Sequence, residues 1–434
     1  MPVLQPPLAN AKFNLDASGV AGFFGGEGAI AAMATVHLYH GRKWLGWYNS
    51  PGSYTIAKRF GQLANTRFWK GLFPGRSESP AIVFGLDVSS GPKYAASVSG
   101  TEMQTGHLGY LTLERSKDEE LPVEKVPGRQ TAPGTVTLLK LQDIKYDDTI
   151  PKQDIGYALF GLIPIITSVA TCVMCAWFRD WYCSSMILLG IISSGLISLV
   201  IGSGKLSLKS VDNPAPGAPP GDGMLLGDNA VVVLKGAEKD VNAITKGKFL
   251  LEIVGHPTYN RIGGCSLLLL VQFFLQLLVI PQGTLFGQVM FIASLGVSWV
   301  YNSYLSSLEK EKIQANILFR KLGNPSMLKF ELGTRTSLTV FACLLICHGM
   351  EISDNGVDPD KIIRKFIAND TIVWQRWRGK VVQQIKIGVS GHLSALELDQ
   401  DDQNLRPSDV QLLTVLLADA KSAFNGYLEY RIRF

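Results

Sequence analysis

From Ile155 to Phe178, from Trp181 to Gly204 and from Ile262 to Leu308 the sequence has no Asp, Glu, Lys or Arg. Runs of this length exclude ordinary soluble helices, whose outer faces need polar residues. A bilayer core of ~30 Å takes about 20 helical residues, so the first two runs predict one crossing each. The third predicts two crossings joined at the breaker Pro281-Gln282-Gly283. Cysteine is equally restricted. Cys172, Cys175, Cys183, Cys265, Cys343 and Cys347 all lie in or beside apolar runs, which excludes a secreted disulfide framework. The opening MPVLQPPLANAKFNLD lacks a basic stretch followed by an apolar one, so no cleavable signal is expected.

Acids are missing from Gly28 to Ser77, which contains seven bases and many aromatic rings. Arg42, Lys43, Trp44, Trp47, Lys58, Arg59, Arg67, Trp69 and Lys70 are the expected membrane-surface contacts, since rings and long cations suit the headgroup layer. Nucleic acid is attracted by the same residue types, but no recognisable nucleic-acid module accompanies them. The preceding Gly19 to His40 is apolar yet carries Glu27 and five glycines, and reads as a buried or interfacial segment.

The fold class these patterns predict is an α-helical multi-pass membrane protein. Four transmembrane helices form two antiparallel hairpins, 155–202 and 262–305. A basic aromatic N-terminal segment covers 1–80. A cytosolic mixed α/β domain combines a β-rich region, 81–150, with a linker and strand-helix-strand unit, 205–260. A stalk and helical C-terminal region cover 306–434. Within 81–150, strands are expected at 81–88, 93–99, 109–115 and 135–146, between Gly and Pro clusters. Pro164 should kink the first span. The run Ser337 to Cys347 is too short to cross a bilayer and reads as a buried core helix or a half-inserted segment. A helix capped by Asp370 or Thr371 carries Trp374, Trp377, Val381 and Ile385 on one side. A last helix, opened by a Ser408/Gln411 capping box, places Val410, Leu413, Leu417, Ala420, Phe424 and Tyr427 in a stripe. The 410–427 stripe must meet another helix, within the chain or on a protein partner or second copy.

Lys140, Lys145 and Lys152 precede the first hairpin. Lys205, Lys209, Lys246, Lys248 and Arg261 lie between the hairpins, and Lys310, Lys312 and Arg320 follow the second, whereas the two tips carry only Arg179. The positive-inside rule then puts both termini and the soluble segments in the cytosol. The sequon Asn369-Asp370-Thr371 would stay unmodified there.

Inside a bilayer, helices associate through small residues and polar contacts. Gly190, Ser194, Ser198 and Gly202 form one such ridge and Ser168, Cys172 and Ala176 another, expected to seat against each other. Gln272 and Gln276 on the third span and Ser294, Ser298 and Asn302 on the fourth form an interhelical polar face, with Gln272 expected near the depth of Ser294. No ionisable residue joins them, which favours helix-to-helix hydrogen bonding over a solute path.

Fingerprints of site chemistry fail one by one. Gly26-Glu-Gly28-Ala-Ile-Ala31 has no following acid for a ribose, and Gly204-Lys205 lacks the rest of a P-loop. Cys172-Val-Met-Cys175 lies mid-span. Cys343, Cys347 and His348 are too few for a metal, and His37 and His40 lack the glutamate of H-E-x-x-H. No catalytic residue, cofactor site or metal site is expected. Two blocks, GTRTSLTVF (Gly333 to Phe341) and NDTIVWQRWRGKV (Asn369 to Val381), together with the four-span layout, resemble uncharacterised multi-pass membrane proteins of basidiomycete fungi. The resemblance implies a membrane address and no activity. The expectation for function is a membrane-anchored binding or scaffold module. The alternatives are a channel or carrier for a small uncharged solute and a membrane-bound lipid-modifying enzyme.

Overall fold

The computed structural model describes residues 7–8, 20–64, 66–76, 78–141, 155–209, 215–252, 256–350, 352, 356–388 and 393–431. Most of the lead before residue 17, the expected strand end at 142–146, Lys145, Lys152 and linker residues 210–214 lie outside the described residues. Two units emerge, each assembled from three stretches of chain: Met1–Val88, Asp148–Ser207 and Phe249–Ile317 in one, Ser89–Asp147, Leu208–Lys248 and Leu318–Phe434 in the other.

The first unit is helical. Its main helices are α1 (Gly26–Met33), α2 (Ser53–Gly61), α3 (Leu162–Trp177), α4 (Trp181–Ile201), α5 (His256–Val279) and α6 (Leu285–Ser306). Among the described residues three stretches are long and apolar enough to cross a membrane, Trp181–Ile201, Tyr259–Gln282 and Leu285–Ser306. The expected first span is divided: Ile155–Phe160 and α3 are separate helices that part at Gly161. Pro164 is the cause. Its ring would strike the carbonyl of Phe160, four residues back, so the helix restarts and Pro164 falls in its first turn instead of kinking its middle.

α3 and α4 pack as the expected hairpin. The second hairpin differs. α5 packs on α2 and α4, and α6 on α3 and α1, so the helices joined at Pro281 have other principal neighbours. Asp180, 2% exposed, ties the two tips together. Its Oδ1 accepts from Cys183 N at 3.0 Å and caps α4, while Oδ2 accepts from Thr284 N (2.7 Å) and Thr284 Oγ1 (2.6 Å) where α6 begins. Both tips therefore share one end of this unit.

The second unit is built on a seven-stranded mixed sheet. Its strands are β1 (Lys93–Ala96), β2 (Glu102–Gln104), β3 (Val123–Lys125), β4 (Gly134–Leu141), β5 (Gly223–Leu226), β6 (Ala230–Gly236) and β7 (Met327–Leu332), in the order β2-β1-β5-β6-β4-β7-β3. β4 runs parallel to β6 with Thr137 opposite Val232, and antiparallel to β7. β6 opens with the continuous apolar run Ala230 to Leu234 because both sheet faces are covered. Val136, Leu138, Val231 and Val233 join Phe330 beneath the Arg335–Cys347 helix, whereas the His107–Lys117 and Glu238–Thr245 helices also pack on β6. The strand at 230–236 thus pairs with Gly134–Leu141. The strand at Lys248–Glu252 instead pairs with Lys205–Lys209, and β7 enters between β4 and β3.

Several sequence expectations are corrected. Residues 81–88 are not a strand; Pro80 opens a short helix, Pro80–Val83, as a ring at the first helical position favours. Residues 109–115 lie within His107–Lys117, where Leu108, Leu111, Thr112 and Ser116 are buried at helical spacing. The Ser408/Gln411 box does not form, because Pro407 takes the first helical position of Pro407–Tyr430; the capping box present nearby is Asp399/Asp402. The stripe does bury Leu413, Leu417, Ala420, Phe424 and Tyr427, within this unit and against the Arg335–Cys347 helix. That helix is buried continuously from Thr336 to Cys347 and forms the unit's core. Lys235 closes its C-terminal end, with Nζ 2.9 Å from the Ile346 carbonyl, 2.6 Å from that of His348 and 3.3 Å from Asp222.

Candidate functional site

The polar centre of the first unit is a segment that is neither helix nor strand. Between the one-turn helix Arg42–Leu45 and the start of α2, residues 46–52 thread among α3, α4 and α6. Gly46, Asn49, Ser50, Pro51 and Gly52 provide breakers and one amide for this path. Asn49 is fully buried. Its backbone N–H donates to Ser168 Oγ on α3 at 3.0 Å, and its Nδ2 donates to Ser294 Oγ on α6 at 2.8 Å. A Cβ on Gly190 of α4 would collide with Asn49 Oδ1. Tyr48 donates to Asn302 Oδ1 at 2.7 Å, and Asn302 Nδ2 donates to Ser50 Oγ at 3.3 Å. These contacts give a segment without regular structure protein partners on several sides.

The small-residue ridge of α4 makes this possible. Ser198 Oγ donates to the Lys43 carbonyl at 3.1 Å, Gly202 makes room for Lys43 and Val36, and the Trp47 ring lies over Gly195. Residues 43 to 49 thus run against the direction of α4. The ridge is a groove for the N-terminal segment, which corrects the expectation that it seats against the ridge of α3. On α3, Ser168 meets Asn49, Cys172 meets Ser184 of α4 at 3.5 Å, and Ala176 is half-buried.

Gln272, Gln276, Ser294, Ser298 and Asn302 are all buried. Ser294 and Asn302 bond the N-terminal segment instead of pairing with the α5 glutamines. Gln276 makes no side-chain hydrogen bond, and Gln272 Oε1 and Ser298 Oγ are also unpartnered. Arg42, Tyr48, Ser50, Ser194, Ser198 and Gln272 share a cavity of about 30 Å³. Of the expected surface residues, Trp44, Lys58, Arg67 and Lys70 are exposed and Lys43, Trp47 and Arg59 half-buried. Trp69 is buried, its Nε1 donating to Asn260 at 3.3 Å, and Arg42 is buried at 4% exposure. Asn49, Ser50 and Tyr301 carry no sequence expectation, and Tyr48, one of the rings of the basic segment, is buried rather than at a surface. The signal available was the breaker run Asn49-Ser50-Pro51-Gly52, which no regular element could absorb.

The second unit holds an open groove of about 740 Å³ between the His107–Lys117 helix and the sheet, lined by Tyr110, Glu114, Lys117, Asp228, Lys329 and Glu331. Burial lowers the ammonium pKa of Lys329, whose Nζ donates to the Asp118 carbonyl at 3.1 Å. Among the described residues no three His, Cys, Asp or Glu side chains converge as a metal site. Cys343 and Cys347 are free and buried, and His348 Nδ1 lies 2.6 Å from the Tyr427 hydroxyl.

Compared with protein families, curated proteins and solved structures, the chain matches none.

Proposed function

We propose that this chain is a membrane-anchored binding module without catalysis, crossing the bilayer four times as two hairpins with its soluble segments and termini in the cytosol. The observation that carries this reading is the filled interior. Residues 41–52 occupy the space a solute path would need, and the cavity left beside them has room for only a water or two, whereas the groove over the sheet admits a ligand-sized contact. Exposed rings support the bilayer placement. Trp177, Trp181 and Tyr182 mark the tip end of α3 and α4, and Trp44, Phe160 and Tyr304 the other, about 31 Å apart along a helix the length of α4.

Two measurements test the proposal. In sealed proteoliposomes, fluxes of glycerol and urea should equal those of empty vesicles. A flux lost in Gln272→Leu would establish the rival reading, a carrier for a small uncharged solute. In native membranes, a photoreactive residue at Lys117 in the groove should give discrete adducts that one at exposed Lys386 does not. Identical labelling at both positions would remove the binding assignment.

A further inference from the structure

Arg42 is the charge that the first unit does not explain. Nη2 donates to the Tyr301 hydroxyl, and the guanidinium carbon lies 5.2 Å from the Tyr301 ring centroid. Nη1 is buried with no hydrogen-bond partner, and no carboxylate among the described residues pairs with this side chain. A buried cation without a counter-charge is strongly unfavourable, since a ring and a hydroxyl replace little of its hydration.

The surroundings favour an anion. The cavity of about 30 Å³ that Arg42 lines also receives Gln272 and Ser194, both able to donate a hydrogen bond. Ser198, Tyr48 and Ser50 line it too, but their hydroxyl protons are committed to the Lys43 carbonyl, Asn302 and the Pro51 carbonyl. Among the described residues no acidic side chain lines it. Space for about one or two waters also fits a single-atom anion, and excludes a tetrahedral oxyanion with its second shell of atoms. Tyr301 and Leu305 lie near the end of α6 away from the tips, so the site is close to that face of the bundle.

We propose that Arg42, Gln272 and Ser194 bind a halide ion, chloride in the cell, as the counter-charge that fixes residues 41–52 inside the bundle. The test uses the full chain in lipid nanodiscs. The unfolding temperature should rise with chloride or bromide and stay flat with gluconate at equal ionic strength. Arg42→Gln should raise the halide dissociation constant at least tenfold, and Arg42→Lys should keep a weakened response. Should Arg42→Gln fail to fold, bromide-soaked crystals of the unaltered protein decide, with an anomalous peak in contact with Arg42. An equal halide response in Arg42→Gln, or no bromide peak beside Arg42, overturns the proposal in favour of water alone.

Discussion

His37 shows how one residue couples the first unit to pH. It lies in the short Thr35–Leu38 helix, its ring 5.2 Å from that of Phe84, and burial lowers its pKa from 6.5 to about 4. The unfolded chain therefore binds a proton between pH 6.5 and 4 that the folded chain refuses, and stability falls as pH drops through that window. A shift of this size corresponds to roughly 3 kcal/mol at its full extent. Thermal unfolding in detergent between pH 7 and 4 should show the loss, and His37→Phe should flatten it. An unchanged slope in the variant would assign the effect elsewhere. At this scale little was legible. His37 and His40 were weighed as ligands from their spacing, but spacing says nothing of burial, and burial is what sets His37. The two blocks behind the fungal resemblance are similar cases. Thr334 caps a helix, Thr336 donates to Asp419 at 2.6 Å, Trp377 donates to the Leu416 carbonyl at 3.0 Å, and Arg378 meets Asp370 at 2.8 Å. These contacts explain the blocks as joints of the second unit's core.

Elements were legible where one period dominated. The apolar runs of α4, α5 and α6, the strands β4 and β6, and the Trp377 helix could be read directly, since their patterns survive any packing. Short windows such as 109–115 are ambiguous, because Tyr110, Leu111 and Leu113 satisfy both periods and the tertiary neighbour decides. The ridge of α4 was visible but its occupant was not, because small residues admit any close backbone, not only a helix. A paired substitution separates these uses. Alanine is the better helix former by about 1 kcal/mol at any exposed interior glycine, and Gly296 of α6 has open space where a Cβ would stand. Gly296→Ala should therefore be neutral or slightly stabilising. Gly190→Ala should cost about 1–3 kcal/mol, because its methyl meets Asn49 and strains the bonds to Ser168 and Ser294. Equal effects on the unfolding temperature would mean that residues 46–52 do not occupy the groove.

At the scale of the molecule, chain order hid the assembly. Each unit draws on three separated stretches, and a sheet with β7 between β4 and β3 brings together strands that no local pattern links. Orientation is a different matter, since lysine and arginine counts are additive along the chain and need no tertiary knowledge. The Asp180 bonds to Thr284 add an independent constraint: tips that share an end of the bundle must share a side of the bilayer. Arg179 and Lys312 should then lie on opposite sides. In right-side-out vesicles, a membrane-impermeant maleimide should label Arg179→Cys in intact vesicles and Lys312→Cys only after permeabilisation. The native cysteines, buried or half-buried in apolar helices, set a low background. Labelling of both positions from one side would require an even number of crossings between them. Three helices long and apolar enough to cross lie in the interval between these residues, α4, α5 and α6, so that result would mean that one of the three does not span.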